Sequence, residues 1–256
     1  MSLSSNEIAA LADRLDEAQI GVHDTISLAD DTDIDIDDAY RIQEAVVARR
    51  LGRGEALVGV KLGFTSKAKM AQMGVSDVIV GRLTDAMRVE DGGKVDLQRF
   101  IHPKIEPEVA YRLSRDVDLD DPTIDIVACV DGVAPAMEII DSRYRDFRFT
   151  YTDVVADNTS AAAYVIGPWS DLQDVSDRAV RLTVGDTAVD GSTGAILDDP
   201  VNALHALLDM CRRRRIPLRA GEVVLAGAAT AAVPLTATVA RCEIAGLGAV
   251  TVKGIA

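Results

Sequence analysis

Apolar residues recur at helical spacing near the start of the chain. Between residues 5 and 19, Ile8, Leu11, Ala12 and Leu15 fall on one stripe behind Ser5, a residue type suited to an N-cap. Residues 36–51 repeat the signal, with Tyr40, Val47 and Leu51 following Asp35. Both spans are predicted helices. The acidic segment Leu28 to Asp38 between them reads as a solvated loop, since it lacks the glycine turn and ligand order of a calcium loop. From Ala56 the texture changes to short β-rich runs separated by Gly, Asp and Pro: ALVGVKLGF, KIEPEVAYRL, PAMEIID, AAAYVIG, VRLTVG, EVVLAG and ATVARCEI. One further helix is marked by Val201, Leu204, Leu207, Leu208 and Cys211, with Asp199 as N-cap and Pro200 in the first turn. Arg212 to Arg215 then sit at its C-terminus, where cations complement the backbone dipole.

The pattern predicts an α+β chain, with an N-terminal helical segment over residues 1–55 and a sheet-rich body over 56–256. No internal repeat, low-complexity tract or Gly/Ser linker separates them, so one continuous domain is expected. A chain of 256 residues with 48% hydrophobic content buries a substantial core without staples. Cys129, Cys211 and Cys242 are odd in number, far apart and without CxxC spacing, which suggests neither a disulfide framework nor a zinc site and fits a reducing cytoplasm. No apolar run approaches the roughly 18 to 20 residues of a membrane helix, and MSLSSNEIAALADRL has no basic-then-apolar export signal. A net charge of -14 argues against nucleic acid partners. Small anionic ligands stay open, because a bound metal reverses the local sign of the potential.

The chemistry is concentrated in carboxylates. Side chains alternate along a strand, so Glu106 and Glu108 share one face of Lys104-Ile105-Glu106-Pro107-Glu108-Val109-Ala110-Tyr111, with Ile105, Val109 and Tyr111 on the other. Such a pair repels unless a cation or proton relieves it, which makes it a candidate hard-metal clamp or else the wet face of an edge strand. Glu138 lies within the apolar Pro135-Ala136-Met137-Glu138-Ile139-Ile140 and needs a metal, a basic partner such as Arg143, or a set of donors. Lys61 is similarly placed in the apolar run from Ala56 to Phe64, either as an acid or electrostatic stabiliser or as a snorkelling edge-strand lysine. The Gly-rich pieces GVKLG and GEVVLAGAA have no phosphate-loop order. His102, beside Pro103, reads as a packing or surface residue.

The segments GVKLGFTSKAKMAQMGV (59–75), IHPKIEPEVAY (101–111), PAMEIIDSRYRDFRF (135–149) and VVADNTSAAAYVIG (154–167) resemble the hydratase and decarboxylase branch of the fumarylacetoacetate hydrolase superfamily, in the same order over nearly the whole chain. KLGFTSKAKMAQMGV, IHPKIE and DSRYRDFRF look more like the 4-oxalocrotonate decarboxylases than the 2-keto-4-pentenoate hydratases, while VIVG (78–81) and GAATAAVP (227–234) depart from the decarboxylase pattern. The resemblance implies a mixed β-sandwich roll carrying N-terminal helices, with Glu106, Glu108 and Glu138 as ligands of Mg2+ or Mn2+ and Lys61 as the active-site lysine. It implies cleavage of the C5–C6 bond of (E)-2-oxohex-3-enedioate to CO2 and 2-hydroxypenta-2,4-dienoate in the meta-cleavage breakdown of aromatic compounds. The alternatives are hydration of that dienoate and an inactive partner subunit; the presence of all four residues argues against the last. Ser66, Asp157 and Ser160 are further substrate-binding candidates, although Asp157 to Ser160 equally suits a helix cap or tight turn. A homo-oligomer and a complex with the partner enzyme of the pathway are implied as well.

Overall fold

The computed structural model describes residues 2–66, 70, 74 and 77–256, so most of the Ser66–Val75 stretch of the resemblance lies outside the described residues. Helix α1 (Ser5–Gly21) is capped by Ser4 rather than Ser5. Ser4 has Glu7 three residues on, and the two form a reciprocal capping box, a partner that Ser5 would lack because Ile8 occupies that position. Helix α2 (Ile36–Gly52) starts at Asp35, whose carboxylate accepts from the Asp38 N–H at 2.8 Å. Its buried stripe runs through Ala39, Ile42, Gln43, Val46 and Arg50, and this rotation leaves Leu51 exposed.

The acidic segment is solvated along Asp30, Asp31, Asp33, Asp35 and Asp37, as expected, but it is pinned to the body. Leu28 and Ile34 are core residues, and Asp38 is buried, accepting from Ser2, Leu3 and Arg41. The anchor lies in a short helix, α3 (Tyr151–Ala156), where the buried Asp153 carboxylate accepts from the N–H groups of Leu28 (2.9 Å) and Ala29 (3.2 Å) and from the Ser27 hydroxyl (2.6 Å). The same carboxylate closes the α3 capping box with Thr150. Apolar residues spaced among aspartates, together with one distant acceptor, convert a polar-looking stretch into packed structure.

The strands up to α3 are β1 (Leu57–Gly63), β2 (Ile79–Thr84), β3 (Arg88–Val89), β4 (Lys94–Asp96), β5 (Lys104–Leu113) and β6 (Val130–Ile140). After α3 come β7 (Ala161–Ile166), β8 (Ser170–Asp171), β9 (Ala179–Val184) and β10 (Thr187–Ser192). Helix α4 (Pro200–Arg214) precedes β11 (Val223–Ala228), β12 (Val233–Pro234), β13 (Val239–Ile244) and β14 (Gly248–Ile255). Among the described residues one sheet has the order β2-β1-β11-β5-β6-β7-β3, with β12 added to β5 and β8 to β6. The second has the order β10-β9-β13-β14-β4. Both mix parallel and antiparallel neighbours, giving the α+β class expected.

The sheets face each other across the odd-numbered side of β5. Ile105, Val109 and Tyr111 share a core with Met137 and Ile139 of β6 and with Leu182, Cys242, Val250 and Val252 of the smaller sheet. β2, β10 and β14 were not among the predicted runs. β2 (IVGRLT) is buried on both faces and shows no alternation, and glycines interrupt the pattern of β10 and β14. Helix α4 has Asp199 as N-cap and Pro200 in its first turn, and its terminal arginines reach carboxylates: Arg213 to Asp77, Arg214 to Asp37 and Arg215 to Asp120. All three cysteines are buried and free.

Replacing Asp153 by Ala removes the acceptor shared by Leu28 and Ala29 and leaves their N–H groups without a partner. Urea unfolding should show a loss of about 2–4 kcal/mol, with faster amide exchange at Leu28. Unchanged exchange there would mean that the segment is held by its apolar contacts alone.

Candidate metal and substrate site

The site begins with the alternation of β5, which turns Lys104, Glu106, Glu108 and Ala110 to the face opposite the inter-sheet core. The antiparallel register with β6 sets Glu106 opposite Glu138 and Glu108 opposite Ala136. A carboxylate oxygen from each of Glu106, Glu108 and Glu138 therefore falls within 4.8 Å of the other two. Glu108 and Glu138 are sealed from solvent, whereas Glu106 is half-buried and borders a cavity of about 1140 Å³.

Lys61 lies on β1, between β2 and β11, so it is an interior-strand residue and not the edge lysine considered above. It is 3% exposed, with Nζ 2.8 Å from Glu138 Oε2 and donating to the Thr159 carbonyl at 3.1 Å. The contact with Glu138 is a buried ion pair. Arg143, the other partner considered for Glu138, is instead paired with Asp157.

Among the described residues the Lys61 ammonium pairs with one of the three carboxylates. Burial, and then the neighbouring Glu138, push Glu108 well above the usual carboxylate range. Burial also raises Glu138, against the pull of Lys61. Burial alone would lower Lys61, but Glu138, Glu108 and Glu106 outweigh it and hold the amine above the ordinary lysine value, as an ammonium. Glu108 Oε1 and Glu138 Oε1 have no hydrogen-bond partner among the described residues. Orphaned, converging, hard oxygen donors fit a small divalent cation such as Mg2+ or Mn2+ and have little affinity for thiophilic metals.

Two irregularities position this cluster. Between Leu225 and Ala228 the pairing of β11 with β5 gains an extra residue, because Leu225 faces Ala110 while Ala228 faces Glu108. The bulge aims the Gly227 N–H at Glu108 Oε2, 2.8 Å away. Gly227 has φ +109°, and a Cβ there would lie 2.0 Å from Thr65 Oγ1, so only glycine fits.

The second irregularity is a left-handed turn in which Asn158, Thr159 and Ser160 have φ of +47°, +54° and +59°. Three such residues in succession are strained and need external support. Asn158 provides some by bonding both backbone groups of Arg82, at 2.7 and 2.9 Å. Asp157 anchors the start of the turn through Arg143, and the Ser160 carbonyl accepts from the Asp141 N–H. The turn points the Thr159 carbonyl at Lys61.

Of the three further candidates, Ser66 and Ser160 line the cavity and Asp157 does not. Asp157 is fully buried behind the turn, where burial raises its pKa to about 6 despite Arg143. It is thus the turn anchor that was weighed as its alternative. His102 bonds the Ser142 carbonyl through Nε2 and packs its ring, tilted by 35°, against Phe147. Sequence reasoning missed Thr159 and Gly227, which act through backbone groups. It also missed Phe147 and Phe149 of the cavity wall, although both fall in the quoted DSRYRDFRF motif.

No family model matches the chain. A 2-keto-4-pentenoate hydratase from Burkholderia vietnamiensis is 38% identical over 252 residues, covering 96% of each chain. A 4-oxalocrotonate decarboxylase from a Pseudomonas species is 45% identical over 248 residues, covering 96% of this chain and 97% of the relative. The chain belongs to the family of 4-oxalocrotonate decarboxylases and 2-keto-4-pentenoate hydratases. Members of this family are lyases, and so is this chain. A solved 4-oxalocrotonate decarboxylase from Pseudomonas putida G7, complexed with magnesium and adipate, superposes with a TM-score of 0.92 at 34% identity over 99% of both chains. A putative fumarylacetoacetate hydrolase family protein from Yersinia pestis shares the fold, with a TM-score of 0.58 at 13% identity over 78% of this chain and 94% of that one. The decarboxylase and hydratase family thus sits on the fumarylacetoacetate hydrolase fold, as the sequence resemblance implied.

The buried charge of this lyase carries a pH signature. Glu108 has a folded pKa above its unfolded value, so its contribution to stability is full below the unfolded value and is lost as pH rises through the folded one. In metal-free protein, Glu108→Gln keeps an acceptor for Gly227 and removes the repulsion. Its melting temperature should exceed wild type at pH 8, by roughly 2–4 °C per kcal/mol relieved, with the gain shrinking towards pH 4.5. A pH-independent difference would show that Glu108 is not strained by charge.

Proposed function

We propose that this chain is a divalent-metal-dependent 4-oxalocrotonate decarboxylase, converting (E)-2-oxohex-3-enedioate to 2-hydroxypenta-2,4-dienoate and CO2. The observation that carries the reading is the convergence of Glu106, Glu108 and Glu138 beside an ion-paired Lys61 at the edge of a cavity large enough for a small dioate. The higher identity to the decarboxylase, 45% against 38% for the hydratase over equal shares of this chain, supports that branch. In this reading the three glutamates hold Mg2+, with Mn2+ as a substitute. When bound there, the cation supplies a Lewis acid for the oxygens of a 2-oxo acid.

The remaining work falls to the chain itself. Cleavage of C5–C6 sends an electron pair through C3=C4 and leaves negative charge on the C2 oxygen. Lys61 Nζ, fixed by Glu138 and the Thr159 carbonyl, presents its remaining N–H to the cavity as a donor for that oxygen. The Gly227 N–H holds Glu108 in one orientation. Phe64, Phe147 and Phe149 line the cavity and limit water around the developing charge. Ser66 and Ser160 lie on the same walls; the Ser160 hydroxyl donates to Asp157 at 3.4 Å, so Asp157 acts on the substrate only through Ser160 and the turn.

The same reading has the helical segment 1–55 and the body 56–256 acting as one domain in a cytoplasmic homo-oligomer that associates with the hydratase of its pathway. Three buried free cysteines support a reducing compartment, and no described helix is long and apolar enough to cross a membrane.

With Mg2+ present, purified protein should release CO2 from (E)-2-oxohex-3-enedioate, and EDTA or Glu106→Ala should abolish the release. Loss of the dienoate chromophore without activity on the diacid would make the chain a hydratase instead. Mg2+ would compete with protons at Glu108, whose carboxyl is pushed well above the usual range by burial and by Glu138. Calorimetry should therefore record proton release on binding, and Mg2+ affinity should weaken as pH falls.

A further inference from the structure

Lys104 opens β5 on the face that carries Glu106 and Glu108. Two residues along a strand is about 7 Å, so Lys104 is the next side chain in that row, on the outward side of the carboxylate cluster. Its strand partners are Ile140 and Pro234, neither of which is charged. The side chain lines the same cavity as Glu106 and Lys61, and its ammonium sits 4.0 Å from the centre of the Phe147 ring. Among the described residues no carboxylate forms an ion pair with it, and residues 67–76 contain no acid that could. Among the described residues the other cavity cations differ: Lys61 is paired with Glu138, and Arg145 with Asp24 in an exposed loop, while Arg148 is exposed beyond the strands.

Charge shows what this cation is for. Lys61 is already paired with Glu138, and a divalent cation held by the three glutamates would bind the 2-oxo acid end of a ligand, which leaves the far end of the ligand to be met by a cation further along the cavity. A ligand with two carboxylates needs another cation at about the distance of a short carbon chain. We infer that Lys104 binds the distal carboxylate of a six-carbon 2-oxo dioate and thereby selects diacids over 2-oxo acids with an apolar end; this rests on the proposed binding of a 2-oxo acid at the glutamates. That carboxylate departs as neutral CO2, so the contact is strongest before the reaction and fades along it. Lys104 is therefore a specificity residue, lowering KM without raising kcat.

The test uses the Mg2+-loaded full chain and two ligands that differ only at the far end, 2-oxohexanedioate and 2-oxohexanoate. Neither has the C3=C4 bond needed for decarboxylation, so calorimetry reads binding alone. Lys104→Met should weaken the dioate by about tenfold, the scale of one charge-assisted hydrogen bond, and leave the monoacid unchanged. Lys104→Arg should keep most of the preference. On (E)-2-oxohex-3-enedioate, Lys104→Met should raise KM with kcat equal or higher. Equal losses for both ligands, or no loss for the dioate, would overturn the inference. If wild type prefers the dioate through Lys104 yet releases no CO2, the decarboxylase reading fails and the inference about Lys104 stands. Wild type that binds neither ligand overturns both.

Discussion

Three carboxylates converging within 4.8 Å, two of them sealed from water, are the constraint around which the larger sheet is arranged. Like charges in a poorly solvated place destabilise a fold unless each is answered. Among the described residues Glu138 meets the Lys61 ammonium and Glu108 the Gly227 N–H, yet each keeps a buried oxygen with no hydrogen-bond partner. A divalent cation would answer those oxygens, so the strain of the metal-free fold and its affinity for metal have a single origin.

Holding such a cluster requires backbone that regular structure does not supply. An unbroken ladder between β11 and β5 would turn the Gly227 N–H away from Glu108, and the bulge redirects it. The left-handed turn at Asn158–Ser160 does the same for the Thr159 carbonyl. The departures are cross-braced: Gly81 of β2 leaves room for Thr159, and Gly227 leaves room for Thr65. Small residues at these points let the strands and turns approach closely enough for backbone groups to reach the charged side chains.

These mechanisms explain what could be read from sequence. The ExE spacing, the acid inside PAMEIID and the lysine inside ALVGVKLGF were visible because a charge in an apolar strand contradicts its surroundings. Their convergence was not, because it depends on the register that sets Glu106 against Glu138 and on β11 lying between β1 and β5. Helices were legible from their stripes to within a few residues, with the first cap displaced by one. The exposure of the acidic segment was legible but its anchoring was not, because its two core residues are outnumbered by aspartates and its anchor, Asp153, is more than a hundred positions away. Backbone contributions from Thr159 and Gly227 leave no side-chain signal at all.

The position of β11 has a consequence for how the protein is made. It is among the last strands in the sequence, yet it sits between β1 and β5, which carry Lys61 and two of the glutamates. On the ribosome, until residues near 223 emerge, β1 and β5 each have an open edge and no common neighbour. The charged centre can therefore close only once that late segment is available. A nascent chain is spared the burial of its carboxylates until the strand that orients Glu108 is ready to be inserted.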